Sequence, residues 1–396
     1  MASSSFGPFI QGSGGGGSST LTVPPGIPEV VLGYVSGQSA TSNADHLMTL
    51  GNTNCLIDAW QDRANRLNYS DVFGWERFPG STQMDTQEDL PSATLWALDS
   101  AFAFDDGTYN AFCAQGGTQI ALYDSSLTST TPDVTLTPGT SNLSSYGSQS
   151  GDYLVCASTS STDDLSVFKR TTGTWATSPV DYVTPSHTTV GSRPILGNNG
   201  DTLIISYPGL ATGGDTNVGK VELRTRSGDT YNVVSELVPP LLGQDTFHEA
   251  LAFDGTALVT WVRTDDEGDL FTDNRQRAYI WTDKGSNTWT VDTEIDLRNT
   301  TIKVTIAGSN IFILDSTFRV NAGAGAVLHY KKEDAGTSWG LLRILTPSPY
   351  AMPTNSSSSY ALKNSVLCYN EVTSTITCMA NFSSLSGNSR FVTWDI

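Results

Sequence analysis

The chain has 396 residues, 40 acidic against 21 basic, with a formal net charge of −19 and a sequence pI near 4.4. So acidic a surface repels phosphate backbones and argues against nucleic-acid binding, and no run approaches the roughly 18 apolar residues of a membrane-spanning helix. Seven lysines, 37 glycines and abundant Ser, Thr and Asn suit short strands joined by tight turns rather than long helices.

Residues 1–27 hold a glycine run, Gly14 to Gly17, between serines, followed by Pro24 and Pro25. This composition predicts a flexible Gly/Ser-rich arm suited to docking. The opening Met1-Ala-Ser-Ser-Ser-Phe has neither the basic nor the continuous apolar part of a secretory signal, which implies synthesis in the cytoplasm.

From residue 28 onward a short phrase recurs seven times: a turn residue, small polar residues, then a buried-type run. It reads Gly51-Asn-Thr-Asn-Cys-Leu-Ile, Gly107-Thr-Tyr-Asn-Ala-Phe-Cys, Gly151-Asp-Tyr-Leu-Val-Cys and Gly200-Asp-Thr-Leu-Ile-Ile. It continues as Gly255-Thr-Ala-Leu-Val-Thr, Gly308-Ser-Asn-Ile-Phe-Ile and, more worn, Lys363-Asn-Ser-Val-Leu-Cys. The steps of 56, 44, 49, 55, 53 and 55 residues, built from strand-type segments, predict a repeat array. The expected fold is all-β, a seven-bladed β-propeller over residues 28–396 preceded by the arm of residues 1–27. Each phrase marks the second of four strands, a near-continuous apolar run covered on both sides, while the third and fourth strands should alternate.

Two further marks keep the period. An aromatic opens the outer strand after a glycine-containing hairpin, at Trp175, Tyr231, Trp289 and Trp339, with Trp75 and Trp394 in the same role in the first and last repeats. Proline then closes the outer strand at Pro138, Pro185, Pro239 and Pro347, where a missing N–H is tolerated. Cys55, Cys113, Cys156 and Cys368 fall in the recurring strand and Cys378 in the next, at places where Ile or Val stand elsewhere. They read as five reduced core thiols. Glu29-Val-Val-Leu-Gly-Tyr supplies a strand that would tie the two ends of the ring together.

Gly200-Asp-Thr-Leu-Ile-Ile-Ser-Tyr-Pro-Gly, then Gly219-Lys-Val-Glu-Leu and Ser227-Gly-Asp-Thr-Tyr, resembles the FG-GAP repeats of integrin-α-like seven-bladed propellers, as does Gly325-Ala-Val-Leu-His-Tyr-Lys-Lys. The resemblance covers repeats three to six. The calcium loop frequent in that family, Asp-x-Asp-x-Asp-Gly, is not present here, so calcium is not implied. Asp334-Ala-Gly-Thr-Ser-Trp339 is also similar to the Asp-box hairpin of sialidases, and Asp283-Lys-Gly-Ser-Asn-Thr-Trp289 is a longer variant; the box stabilises a hairpin and is not catalytic.

Chemistry-bearing constellations are sparse. Arg193, Arg263, Arg319 and Arg390 lie near strand ends, but the sialidase Arg-x-Pro order is missing. His46, His187, His248 and His329 stand in separate repeats without zinc-ligand spacing. The acidic loop Asp265–Asp273 reads as a solvated loop, and the His248-Glu249 pair as a surface pair. The sequence therefore predicts no catalytic residue, no metal and no cofactor. It points to a non-catalytic binding or structural module of a large assembly such as a virion, making protein or glycan contacts and docked partly through the arm. The alternative is a carbohydrate-active propeller, lectin or sialidase-like glycosidase.

Overall fold

A strand that is apolar on both faces needs cover on both sides, and this chain supplies it by stacking one small antiparallel sheet against the next. The computed structural model describes residues 28–30, 44–50, 53–60, 72–79, 86–90, 101–105, 108–114, 119–124, 133–139, 143–158, 164–187, 193–207, 219–238, 240, 246–264, 275–285, 287–297, 302–320, 323–332, 339–346, 360–370, 374–382 and 389–396. The arm expected over residues 1–27 and the acidic loop Asp265–Asp273 lie outside the described residues.

After β1 (Pro28–Val30) come the meander β2 (Ala44–Leu50), β3 (Thr53–Trp60), β4 (Val72–Pro79) and β5 (Thr86–Leu90). A second follows: β6 (Ala101–Asp105), β7 (Tyr109–Ala114), β8 (Ile120–Asp124) and β9 (Val134–Leu136). The third is β10 (Leu143–Ser150), β11 (Tyr153–Ser158) and β12 (Leu165–Thr171), with an outer strand broken into β13 (Thr174–Trp175) and β14 (Asp181–Val183). Pro179, which has no N–H to donate, lies in the break. Then come β15 (Arg193–Gly197), β16 (Thr202–Tyr207), β17 (Lys220–Ser227) and β18 (Thr230–Leu237), and β19 (Thr246–Phe253), β20 (Ala257–Thr264), β21 (Arg275–Asp283) and β22 (Trp289–Leu297). The last are β23 (Ile302–Ala307), β24 (Asn310–Val320), β25 (Gly323–Lys332) and β26 (Trp339–Leu345), then β27 (Tyr360–Asn370), β28 (Thr375–Phe382) and β29 (Ser389–Asp395).

These strands form six sheets: four of four strands, one of five, and one of eight. The eight-stranded sheet joins β23–β26 to β27–β29 and β1 through one parallel pair, Ala324 with Ala361. Innermost strands neighbour one another in cyclic order, β2, β6, β10, β15, β19, β23, β27 and back to β2. The arrangement is a β-propeller. Its ends are tied as the sequence suggested: Pro28, Glu29 and Val30 pair antiparallel with Trp394, Thr393 and Val392.

The core lies in the seams between sheets. Val155, Val167 and Val183 pack on Leu203, Ile205 and Tyr231; Leu223 and Leu237 pack on Leu258 and Tyr279. Second strands are fully buried along Tyr153–Ser158 and Thr202–Tyr207. Third strands depart from the expected alternation. In β12 the first four residues are all buried, and in β17 so are Val221–Arg224, because neighbouring sheets still cover both faces there and exposure begins only at the hairpin. The recurring aromatic is a wedge into the preceding sheet's seam: Trp175, Tyr231 and Trp339 are all buried.

Three assignments need correction. Lys363-Asn-Ser-Val-Leu-Cys lies on the innermost strand β27, and the second strand of that unit is β28, entered through Ser374 at φ 52. Cys378 therefore occupies the recurring second strand and Cys368 the innermost one. Trp75 and Trp394 sit within third strands, β4 and β29, not at the start of outer ones. Of the cysteines, Cys156 and Cys378 are free and buried, and burial pushes the Cys156 thiol up to about 12. Cys55 and Cys113 lie on second strands β3 and β7.

Buried His329 on β25 stacks on Phe312 with ring centroids 4.4 Å apart, and its Nε2 lies 2.8 Å from Asn310 Oδ1. Burial, aided by Arg343 and Lys331, lowers its pKa from 6.5 to about 4. As pH falls the unfolded chain takes this proton first, so the contribution is full above pH 6.5 and is lost as pH drops toward 4. We expect the parent chain to lose roughly 3 kcal/mol more than a His329→Gln variant over that window, measured by urea unfolding at each pH; equal losses would refute this assignment.

Candidate functional site

Tyr207 at the end of β16, Lys220 at the start of β17 and Leu237 at the end of β18 bring one end of this sheet beside the connector leaving β14. That connector, Thr184–His187, is pinned by Arg224 of β17. Its Nη2 donates to Thr184 O at 2.9 Å and to Ser186 Oγ at 3.1 Å, its Nη1 lies 3.5 Å from Tyr231 O, and its Nε donates to Glu222 Oε1. The Glu222 and Arg224 side chains are 1 % and 7 % exposed, so this is a buried ion pair. Tyr207 OH accepts from Ser186 N at 3.1 Å and donates to Glu222 Oε1 at 3.4 Å. Burial, then the Glu222 charge, pushes the phenol's pKa upward, which keeps it a donor.

His187 completes the group. Its ring stands edge-on to Tyr207, centroids 5.0 Å apart, and its Nε2 lies 3.3 Å from Glu236 Oε1. The other Glu236 oxygen accepts from Lys220 Nζ at 2.8 Å. The Lys220 hydrogen bond, with a smaller contribution from His187, holds the Glu236 carboxyl below its ordinary pKa. Ligand atoms of His187, Glu222 and Glu236 lie within 4.8 Å of one another. Glu222 Oε2 is buried and, among the described residues, has no hydrogen-bond partner. Sequence reasoning dismissed histidine chemistry because no two ligands share a local spacing. Here they come from a connector and two strands, and no short motif could have revealed them.

The opposite end of the same seam is held differently. Lys169 Nζ and Tyr153 OH both reach Asp229 Oδ1, at 2.6 and 2.8 Å, and Arg226 lies over the Tyr153 ring 4.3 Å from its centroid. These groups fasten the β17–β18 hairpin to the neighbouring sheet.

The arginines considered for a sialidase-like centre occupy the start of β15 (Arg193), the ends of β20 (Arg263) and β24 (Arg319), and the start of β29 (Arg390). Arg193 lies over the Tyr146 ring at 4.5 Å, joining two innermost strands. His46 and His248 are on innermost strands β2 and β19. In the Asp283 hairpin, Asp283 Oδ1 accepts from Gly285 N at 2.8 Å, the stabilising role expected of it.

No family model and no curated relative matches this chain. Among solved structures, the WD40 domain of coronin from Toxoplasma gondii is similar with a TM-score of 0.52 at 9% identity, over 94% of this chain and 84% of that one. A periplasmic gluconolactonase from Pseudomonas aeruginosa gives 0.49 at 14% identity, over 78% of this chain and 86% of that chain. At such identities the likeness to the coronin domain bears on the fold alone, which it supports as a β-propeller without singling out FG-GAP repeats.

Proposed function

We propose that the chain is a seven-bladed propeller acting as a non-catalytic binding and structural module, docking protein partners through its rim within a large assembly such as a virion. The seven-blade count is supported by the cyclic order of innermost strands and by the eight-stranded sheet, whose two four-stranded halves meet at a single pair. FG-GAP kinship remains a resemblance carried by the Gly200–Tyr231 phrases.

One observation carries the docking role. Among the described residues, the exposed large hydrophobics all fall on or beside outermost strands: Val180 and Tyr182, Val233, Val234 and Val238, and Leu341, Leu342 and Ile344. Outermost strands also present unpaired backbone groups, so an apolar edge there favours contact with another protein. The acidic composition favours a partner surface with basic residues around an apolar centre. The Gly/Ser-rich composition of residues 1–27 and the scarcity of lysine add support for a particle component. Glycan contact belongs to the same proposal as a secondary mode.

Val233→Lys and Leu342→Lys test it. Both sites are about half exposed, so unfolding free energy should stay within roughly 0.5 kcal/mol of the parent. Co-sedimentation with the assembled particle should weaken at least about tenfold, since a lysine would be buried unpaired at the contact. Undiminished co-sedimentation of both variants would remove the rim from consideration.

A further inference from the structure

We propose that His187, Glu222 and Glu236 form a binding site for one divalent transition-metal ion of the zinc class, clipping the β14–β15 connector to the outer half of the next sheet. The donor set is an imidazole nitrogen and two carboxylate oxygens, a combination that borderline ions such as zinc accept with tetrahedral geometry. Two ligand atoms around tetrahedral zinc stand about 3.3 Å apart; His187 Nε2 and Glu236 Oε1 are 3.3 Å apart. The third ligand, the Glu222 carboxylate, offers an oxygen within 4.8 Å of both and closes onto the ion by a small side-chain adjustment.

The independent observation is Glu222 itself. Its side chain is 1 % exposed, yet among the described residues Oε2 meets no hydrogen-bond donor. A buried carboxylate oxygen without a partner is costly, and a cation bound there satisfies it. Each carboxylate already spends one oxygen on a basic residue, Glu222 on Arg224 and Glu236 on Lys220, and keeps the other for the ion. Ligating carboxylates are commonly oriented by such outer hydrogen bonds, and the Tyr207 ring edge orients His187. Three protein ligands leave a fourth position for water.

The test uses the untagged full-length chain titrated with Zn²⁺ against a chromophoric chelator, and with Co²⁺ followed by visible absorption. One equivalent should bind, and Co²⁺ should give the intense d–d bands of a tetrahedral site. His187→Ala and Glu236→Gln, at positions 23 % and 38 % exposed and therefore compatible with folding, should each weaken binding at least about tenfold and abolish the Co²⁺ bands. Glu294→Gln, which removes an exposed carboxylate paired with Arg277, should leave binding unchanged. Absence of stoichiometric binding by the parent chain, or binding by His187→Ala equal to the parent, would overturn the site.

Discussion

Arg224→Met should destabilise the chain by about 3–5 kcal/mol, because it strands the Glu222 carboxylate in a buried seam without its cation. The same substitution removes the donors to Thr184 O and Ser186 Oγ that hold the connector against β17. A Glu222→Met/Arg224→Met double variant should recover most of the loss, ending within roughly 1.5 kcal/mol of the parent, since two apolar side chains need no mutual neutralisation. Denaturant unfolding of the three chains reads the comparison. If the double variant is as unstable as the single one, the damage comes from lost packing and the ion-pair argument fails.

The second large effect concerns turns. Gly151 has φ +58, and a Cβ there would meet the Asn199 backbone at 2.7–2.9 Å. Asn199 belongs to the 3-10 turn Asn198–Gly200 of the neighbouring sheet, whose Asn198 Nδ2 reaches onward to Gly255 O at 3.3 Å. Successive first-to-second-strand turns thus lean on one another along the ring, and backbone meets backbone. Gly151→Ala should cost roughly 2–4 kcal/mol, combining positive-φ strain with displacement of that turn. Gly228→Ala is the control: φ is +67 but, among the described residues, nothing lies within 4 Å of the added methyl, so about 1 kcal/mol is expected. Equal costs at the two positions would show that turn-on-turn contact is not what demands glycine at Gly151.

That contact also explains what the sequence could and could not reveal. Four of the phrases, among the described residues, were legible because the turn before the second strand needs a left-handed residue, and glycine fills it at Gly151, Gly200, Gly255 and Gly308. The seventh was misplaced because Ser374 takes the left-handed position there, φ 52, and leaves no glycine to read. The aromatic mark worked where a wedge follows a hairpin, as at Trp175 and Tyr231, and misled at Trp394, a buried third-strand residue filling the same kind of seam from a different strand. The His187 cluster was illegible for another reason. Glu222 and Arg224 sit two apart on a strand, a pattern that reads as a solvated face, yet both are buried and the previous sheet's connector returns across them.

The pairing of Pro28–Val30 with Thr393 and its neighbours has a consequence for biosynthesis. At about 5–20 residues per second, residues 389–395 leave the ribosome on the order of 20–70 s after the strand they must capture. Throughout that interval the Pro28–Val30 segment carries hydrogen-bonding groups with no native mate, a standing invitation to mispairing with other chains. Closure of the ring therefore waits on residues 389–395, and translation speed or chaperone supply should alter its yield.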